Sequence, residues 1–208
     1  AATGVYLTET PDSQPNLLFG IPAGSFIEAS GQLYFAMDDS GYFDPNYPSY
    51  VKLMKYDPDN GTLSHLQGPS SYIRKLTQVG STIYLSGWNN CCSGLLWKTN
   101  GTQAGTSEVL RSGSSISMDS WDDLIEVGGN LFYTNGGAIT RLSGTTFTNV
   151  TGGTVEVIPD YSTGSGNAKW QNVNGKLYFA NGNSLYVVNG TTATLLKNTY
   201  SGSGTAVP

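Results

Sequence analysis

One hydrophobic pattern recurs four times along this chain and restricts the possible folds more than any other feature. Its anchor residues are separated by steps of 50, 48 and 46 residues, at Leu33, Ile83, Leu131 and Leu177. A second apolar position lies seven residues before each anchor, at Phe26, Leu76, Leu124 and Trp170. Self-similarity at a fixed period of this length is typical of repeat architectures. The chain is therefore predicted to consist of stacked units.

Each unit is predicted to contain four short strands. The two apolar positions mark the first and second strands, and the third and fourth flank a turn such as Asn60-Gly61, Asn100-Gly101 or Asn189-Gly190. Asn-Gly between apolar runs is a strong hairpin signal, because both turn residues then adopt positive φ. Composition agrees: the chain has 27 Gly and 13 Tyr in 208 residues, and only 12% of its residues are charged. This argues against helices and against disorder, so an all-β fold is expected.

Four antiparallel strands in about 47 residues describe one blade of a β-propeller. Val5–Thr8 and Leu17–Phe19 resemble the third and fourth strands of a further unit. We therefore predict a single propeller domain over residues 1–208, with four full blades and a half blade, five-bladed and closed or nearly closed. The alternative is an open piece of a larger propeller. The predicted bounds are a half blade at 1–22, blades at approximately 23–68, 69–113, 114–153 and 154–198, and a tail at 199–208.

Charge and residue usage exclude several functions. The net charge is −5 and there is no basic cluster, so nucleic acid is not an expected partner. No apolar run approaches 18 residues, so membrane insertion as a helix is not expected. His65 is the one histidine and has no Ser or Cys motif beside it. We expect no cofactor, no bound metal and no catalytic residues. Few lysines and many Ser, Thr, Asn and Gly residues are typical of exported bacterial proteins, so an extracellular or cell-surface location is predicted.

The segment Leu95–Thr106, which reads LLWKTNGTQAGT, resembles the ELWxxDGT repeat of large bacterial surface and secreted proteins. Gly94 or Leu95 stands where that repeat has Glu, and Asn100 replaces its Asp. The chain is also weakly similar to five-bladed propeller lectins. These resemblances imply a propeller fold, an exported location and membership of a larger surface protein. They do not identify a ligand and they provide no catalytic residue, since the repeat's own residues are structural.

The repeats separate packing residues from candidate binding residues. Trp170 and Trp97 occupy repeated apolar positions and are predicted to belong to the core. Two insertions fall outside the repeat, both between the second and third strands of their units, at 37–50 and 86–94. Equivalent connections lie at the same end of a propeller, so the two loops are expected to be neighbours. Their candidate ligand-binding residues are Tyr42, Asp44, Tyr47, Tyr50, Trp88, Asn89, Asn90, Cys91 and Cys92.

Cys91 and Cys92 are adjacent and are the only cysteines. A vicinal disulfide between them is predicted, and would form a strained and relatively reducible turn, because adjacent Cα atoms lie closer than the usual disulfide range. It would serve either as a rigid contact surface for a ligand or as a structural lock. Two free thiols are the remaining alternative.

A third candidate segment, 116–123, contributes Trp121 as a ligand-binding residue and three Asp residues. Asp57–Gly61 begins like a calcium loop but lacks the later acidic ligand. Asp-favoured turns are the preferred interpretation of both segments, with calcium as the alternative.

The leading functional hypothesis is a non-catalytic extracellular recognition or adhesion module that is lectin-like and carbohydrate-binding. It would bind glycan, or another cell-surface ligand, through aromatic and Asn/Asp-rich loops on one face. The alternatives are a structural or protein-interaction domain of a large surface protein and, less favoured, a glycoside hydrolase using Asp44, Asp119 or Asp122.

Overall fold

The computed structural model describes residues 26–38, 51–69, 73–89, 93–118, 122–160 and 165–198. Throughout these ranges the chain forms β-strands joined by turns and irregular connections, with no helix. Consequently no helix in this part of the chain is long and apolar enough to cross a membrane. The all-β prediction is confirmed. The predicted half blade, the tail and most of the first insertion lie outside the described residues.

The first two repeats form two sheets, each built from consecutive antiparallel strands. Sheet 1 comprises β1 (Phe26–Ala29), β2 (Gln32–Asp38), β3 (Val51–Asp57) and β4 (Thr62–Leu66). Sheet 2 comprises β5 (Ile73–Val79), β6 (Thr82–Asn89), β7 (Ser93–Thr99) and β8 (Ser107–Glu108).

Sheet 2 has an additional strand along its outer edge. Here β7 pairs with both β8 and β11 (Ser117–Met118), while β9 (Leu110–Arg111) and β10 (Ser114–Ser115) form a small hairpin between them. The fourth position of this sheet is therefore divided between two short strands.

The third and fourth repeats form two further four-stranded antiparallel sheets. Sheet 3 comprises β12 (Leu124–Val127), β13 (Asn130–Asn135), β14 (Ala138–Ser143) and β15 (Thr146–Asn149). Sheet 4 comprises β18 (Trp170–Val173), β19 (Lys176–Asn181), β20 (Ser184–Asn189) and β21 (Thr192–Asn198). Between these sheets lies a hairpin of β16 (Val157–Asp160) and β17 (Ser165–Ala168), which the repeat pattern does not predict.

Strand register confirms the repeat alignment. The early apolar position of each unit pairs with the residue two beyond the anchor, as Phe26 with Phe35, Leu76 with Leu85, Leu124 with Tyr133 and Trp170 with Phe179. One side-chain position thus recurs at the same place in all four sheets. A single four-stranded motif accounts for the spacing seen in the sequence.

The turn prediction is only partly correct. Asn174-Gly175 places both residues at positive φ, at 51° and 75°, but it joins β18 to β19 and is not one of the predicted turns. In Asn60-Gly61, Asn100-Gly101 and Asn189-Gly190 only the glycine has positive φ. In two of these turns the asparagine side chain supports the backbone instead. The Asn60 and Asn100 Oδ1 atoms accept hydrogen bonds from the backbone N–H two residues later, which is an Asx turn.

In the described part of the chain the core forms three clusters, one between each pair of successive sheets. Leu53 and Leu85 lie between sheets 1 and 2, Leu96 and Leu131 between sheets 2 and 3, and Leu177 with Phe179 between sheets 3 and 4. All six are at most 1% exposed. The first strands of neighbouring sheets also pack side by side. This face-to-face stacking of four-stranded sheets is how propeller blades pack.

Sheets 2 and 3 each have one face toward the preceding sheet and one toward the following sheet. Leu76, Leu124 and Trp170 all contribute to the cluster shared with the preceding sheet. The equivalent residue of sheet 1, Phe26, is 51% exposed and stacks on Phe35 with ring centroids 5.3 Å apart. Among the described residues, sheet 1 therefore has no preceding neighbour, and no core cluster joins it to sheet 4.

The two tryptophans predicted to pack do so. Trp170 is 9% exposed and belongs to the cluster between sheets 3 and 4. Trp97 is half-buried and packs against the cluster between sheets 1 and 2. Three tyrosines also lie in the sheet interfaces, and burial raises the pKa of Tyr34, Tyr84 and Tyr133 above the usual value of 10.0.

Candidate functional site at the insertion end

Strand direction gives the sheets two distinct ends. We call the end where the second strand joins the third the insertion end. In sheets 3 and 4 this connection is two residues long, at Gly136-Gly137 and Gly182-Asn183. In sheet 1 it spans 39–50, and in sheet 2 it spans 90–92. The longest connection of this kind thus leaves sheet 1, and sheet 2 packs directly against sheet 1.

The second insertion is shorter than the sequence suggests. We expected residues 86–94 to form a loop, but β6 continues to Asn89 and β7 begins at Ser93. Ser86 pairs with Leu96, and Trp88 pairs with Gly94. Gly87 and Gly94 lie within these strands and are both buried, and glycine in a strand often marks a place where another part of the chain approaches closely.

Most of the predicted binding residues lie outside the described residues. These are Tyr42, Asp44, Tyr47, Tyr50, Asn90, Cys91, Cys92 and Trp121, so the predicted Cys91–Cys92 disulfide lies there too. Trp88 and Asn89 are placed by their backbone as the last two residues of β6. They adjoin the connection at the insertion end, where the sequence analysis placed them.

At this end, Asp123 is a buried carboxylate that accepts several hydrogen bonds. The sequence analysis interpreted it only as part of an acidic turn. It is 4% exposed and directly precedes β12. Its Oδ2 accepts a hydrogen bond from Trp170 Nε1 at 2.9 Å, and its Oδ1 accepts from Lys75 Nζ and from the Leu124 N–H. Its own N–H donates to Thr134 Oγ1 at 2.8 Å. Side chains from sheets 2 and 4 therefore meet on one carboxylate beside sheet 3.

Asp122 also supports the local backbone. It is 6% exposed, and its Oδ1 accepts the Gly136 N–H at 3.0 Å. This bond holds the short connection between β13 and β14. The carboxylates of this acidic segment that the structure describes are thus engaged in holding neighbouring strands.

The second acidic segment forms an Asp-centred turn. Asp57 accepts hydrogen bonds from the Asp59 N–H at 3.0 Å and from Asn60 Nδ2 at 3.1 Å. Both carboxylate oxygens of Asp57 therefore take part in the turn itself. In the described ranges, no group of three or more His, Cys, Asp or Glu side chains is arranged to hold a metal ion.

Glu156 connects the unpredicted hairpin to sheet 4 at the insertion end. Its Oε2 accepts from Lys169 Nζ and from the Gly182 N–H, both at 3.0 Å. Its backbone N–H donates to the Ala180 carbonyl, also at 3.0 Å. The hydrogen bond from Lys169, followed by that from Gly182, lowers the pKa of Glu156 below 4.5. The sequence signal for this contact was weak, because 155–169 has no counterpart in the other repeats.

The segment that resembles the ELWxxDGT repeat joins sheet 2 to sheet 1 at the opposite end. Thr102 Oγ1 donates to Asn100 Oδ1 at 2.7 Å, and Thr99 and Thr106 share a hydroxyl hydrogen bond of 2.8 Å. Across the interface, Lys55 Nζ donates to the Gly101 carbonyl at 3.0 Å. A Cβ on Gly101 would lie 2.2 Å from the Tyr34 hydroxyl. This compact turn is therefore a structural contact between sheets.

His65 lies on β4 opposite Met54 and is exposed. Its cross-strand partner Met54 offers the imidazole neither a nucleophile nor a carboxylate. The His65 side chain is therefore solvated.

Comparison with protein families gives no match, and neither does comparison with curated proteins. The solved structures that are similar to this chain include three at low identity. The propeller domain of a trilobed protease from Pyrococcus furiosus has a TM-score of 0.43 at 10% identity, and the similarity covers 83% of this chain and 68% of that one. A gluconolactonase from Xanthomonas campestris has a TM-score of 0.39 at 15% identity, covering 89% and 62%.

The third is the extracellular domain of a putative hybrid two-component system from B. thetaiotaomicron, with a TM-score of 0.34 at 13% identity, covering 86% of this chain and 33% of that one. The chain thus spans less than two thirds of the second and third structures. At these scores and identities, the similarities carry no information about what this chain binds or catalyses.

Proposed function

We propose that this protein is a non-catalytic recognition module that binds glycan, or another cell-surface ligand, at its insertion end. The observation that carries the proposal is that the β2–β3 and β6–β7 connections leave the same end of two sheets that pack together. Loops presented by rigid scaffolds are where binding residues concentrate. Tyr42, Tyr47 and Trp88 would supply aromatic contact area at this end.

The proposed ligand class follows from the chemistry of these connections. Tyr and Trp offer flat surfaces with a polar group and lose little side-chain entropy on binding. Asn89, Asn90 and Asp44 offer neutral and acidic hydrogen-bonding groups suited to hydroxyl-rich ligands. With 12% charged residues, the chain has few groups for a strongly ionic ligand. A glycan fits this set better than a phosphate or a nucleic acid.

We infer a binding role in preference to a glycoside hydrolase. Hydrolysis needs two available carboxyl groups at a defined separation. Asp122 and Asp123, which adjoin the candidate face, are buried and accept hydrogen bonds from Gly136, Trp170 and Lys75. A panel of chromogenic glycosides tests this choice, since turnover that is lost on Asp44→Asn would establish the enzyme instead.

Trp88→Ala tests the proposed site. On a glycan array, the wild-type protein should retain at least one glycan, and the variant should lose about 2 kcal/mol or more of binding free energy, as aromatic anchors do. Tyr42→Ala and Tyr47→Ala should weaken the same glycan. Trp88→Ala should leave the free energy of unfolding within about 1 kcal/mol of the wild-type value. Trp170→Ala should lower the free energy of unfolding, and should reduce binding only because part of the protein is unfolded. If Trp88→Ala melts the domain and leaves the affinity of the folded fraction unchanged, the site is elsewhere.

We further propose that residues 1–22 and the tail complete a fifth blade and so close the propeller. The support is the face of sheet 1 that carries Phe26 and Phe35, since the same face of every other described sheet is covered by a preceding sheet. Deletion of 1–22 should lower stability and increase binding of a hydrophobic dye. Unchanged stability would favour an open piece of a larger propeller.

The second candidate function is a structural or protein-interaction domain of a larger exported surface protein. The exposed Phe26 and the turn that resembles the ELWxxDGT repeat favour it. This alternative would be supported over the first by two results together. The wild-type protein should bind no glycan on the array, and Phe26→Asp should abolish attachment of the chain to a neighbouring domain.

A further inference from the structure

Six Asn-Gly pairs occur in the described residues, and their asparagines are all exposed. They are Asn60-Gly61, Asn100-Gly101, Asn135-Gly136, Asn174-Gly175, Asn181-Gly182 and Asn189-Gly190. Asparagine followed by glycine can cyclise spontaneously, because the glycine nitrogen has no side chain nearby to hinder its attack on the asparagine amide. Exposure alone does not distinguish the six pairs, so their reactivity must depend on how the glycine nitrogen is held.

In five of the six pairs the glycine N–H is already hydrogen-bonded. Gly61 donates to the Asp57 carbonyl at 2.9 Å, and the other four donate to side-chain oxygens at 3.0 Å. Those four acceptors are Thr99 Oγ1 for Gly101, Asp122 Oδ1 for Gly136, Asn172 Oδ1 for Gly175 and Glu156 Oε2 for Gly182. Such bonds hold the nitrogen away from the asparagine side chain and hinder loss of its proton.

The asparagine side chains are held in four of the same pairs. Asn60 and Asn100 accept from backbone N–H groups, Asn135 Nδ2 donates to the Ser117 carbonyl, and Asn181 Nδ2 donates to Thr154 Oγ1. Within the described part of the chain, Asn189-Gly190 is the one pair in which neither the side chain nor the glycine N–H has a hydrogen-bond partner. Both reacting groups are exposed there.

We propose that Asn189 is the site at which this protein deamidates spontaneously. The Gly190 nitrogen loses its proton to solvent base and bonds to Asn189 Cγ, while the Cγ–Nδ2 bond breaks and ammonia leaves. Water then opens the cyclic imide. Attack at Cγ gives aspartate, and attack at the main-chain carbonyl gives isoaspartate, in which the backbone runs through the former side chain. Water is the only co-reactant, and no oxidant is needed.

The position gives this modification a structural consequence. Asn189 pairs with Thr192 across the turn that joins β20 to β21. The Thr151 N–H donates to the carbonyl of Thr191 in this turn at 2.9 Å. The Ala193 N–H, at the start of β21, donates to the Thr151 carbonyl at 2.7 Å. Residue 151 lies two positions after the end of β15 in sheet 3. An isoaspartate lengthens the backbone at this turn, so it should weaken the outer contact between sheets 3 and 4.

Peptide mapping by mass spectrometry tests the proposal on the intact protein. The folded protein is incubated at mildly alkaline pH, and the mass gain of about 1 Da on deamidation is followed at each asparagine. Three pairs share the local sequence Asn-Gly-Thr, at 60, 100 and 189. In the digested peptides these three should react at similar rates. In the folded protein Asn189 should react several-fold faster than the other two.

Asn172→Ala is the matched structural control, because it removes the acceptor of the Gly175 N–H. Deamidation at Asn174 should then accelerate while that at Asn189 is unchanged, as checked in variants that remain folded by circular dichroism. Asn189→Gln should abolish the fast event. The proposal is overturned if Asn60 or Asn100 reacts in the folded protein as fast as Asn189, or if Asn189 stays intact while its peptide is converted.

Discussion

Asp123 shows how one buried carboxylate can hold neighbouring sheets without forming a binding site. Its oxygens accept from Trp170, Lys75 and the Leu124 N–H, so its charge is compensated although it is 4% exposed. A buried carboxylate without such partners would cost several kcal/mol. Its role is therefore conditional on all of its neighbours being present.

Trp170 should be the most informative residue to change at this contact. Trp170→Ala removes a side chain packed between sheets 3 and 4 and should cost about 3–5 kcal/mol of unfolding free energy. Trp170→Phe keeps most of the ring but leaves Asp123 Oδ2 without its donor, and should cost about 1–3 kcal/mol. Urea denaturation followed by fluorescence measures both values. No loss for Trp170→Phe would mean that the hydrogen bond to Asp123 contributes nothing.

Glu156 should make stability depend on acid pH. Its pKa is lowered in the folded protein by Lys169 and the Gly182 N–H. The stabilisation is therefore fully present above the unfolded value near 4.5 and is lost as the pH falls through the lower folded pKa. Melting temperatures measured from neutral pH to below pH 4 should fall less steeply at the acid end for Glu156→Gln than for the wild type. Parallel curves would exclude this contribution.

At the scale of elements, the turn from Asn100 to Thr106 links two sheets through its backbone and its small residues. Gly101 has a φ of 83°, which strains any other residue, and it also touches Tyr34. Gly105 lies so close to Asn100 that a Cβ would be 1.9 Å from the asparagine Oδ1. The turn thus depends on two glycines for steric reasons.

Gly101→Ala and Gly113→Ala separate backbone strain from steric conflict. Both glycines have φ near 82°, but a Cβ on Gly113 would meet no atom within 4 Å. Gly113→Ala should therefore cost about 1 kcal/mol from the backbone alone. Gly101→Ala should cost more, because the buried Tyr34 must also move. Thermal or urea unfolding gives the difference, and equal costs would show that Tyr34 adjusts freely.

The elements that the sequence predicts well are those set by local periodicity. The apolar positions around Leu33, Ile83, Leu131 and Leu177 locate the first two strands of each sheet, because each strand must bury one side, and the turn residues that follow indicate the other two. The sequence does not predict the β16–β17 hairpin or the pairing of β7 with both β8 and β11. Each of these features occurs once and depends on contacts with distant strands. The loop at 86–94 is predicted too long, because backbone pairing through Gly87 leaves no apolar signal. Asp123 is read as part of an acidic turn, because its partners are 48 and 47 residues away.

At the scale of the whole molecule, a substitution that destabilises one sheet should affect the sheets packed against it more than the distant ones. Each core cluster is shared by two successive sheets, so each sheet depends chiefly on its neighbours. Leu53→Ala, at a site that is 0% exposed between sheets 1 and 2, should cost about 2–5 kcal/mol. Hydrogen exchange with mass spectrometry should then show faster exchange in sheets 1 and 2 than in sheet 4. A uniform increase in all four sheets would mean that the domain unfolds as one cooperative unit.

The similarity of the sheets creates a problem during folding. Each interface is formed by the same kinds of apolar residues at equivalent positions, so a sheet could stack on the wrong neighbour while the chain is collapsing. Apolar area discriminates poorly among such arrangements, because it has no directional requirement. A mismatched pairing that buried Asp123 without Lys75 and Trp170 would leave a charge unpaired, at a cost of several kcal/mol. Asp123 therefore penalises misassembled forms in which sheet 3 lies beside any sheets other than 2 and 4.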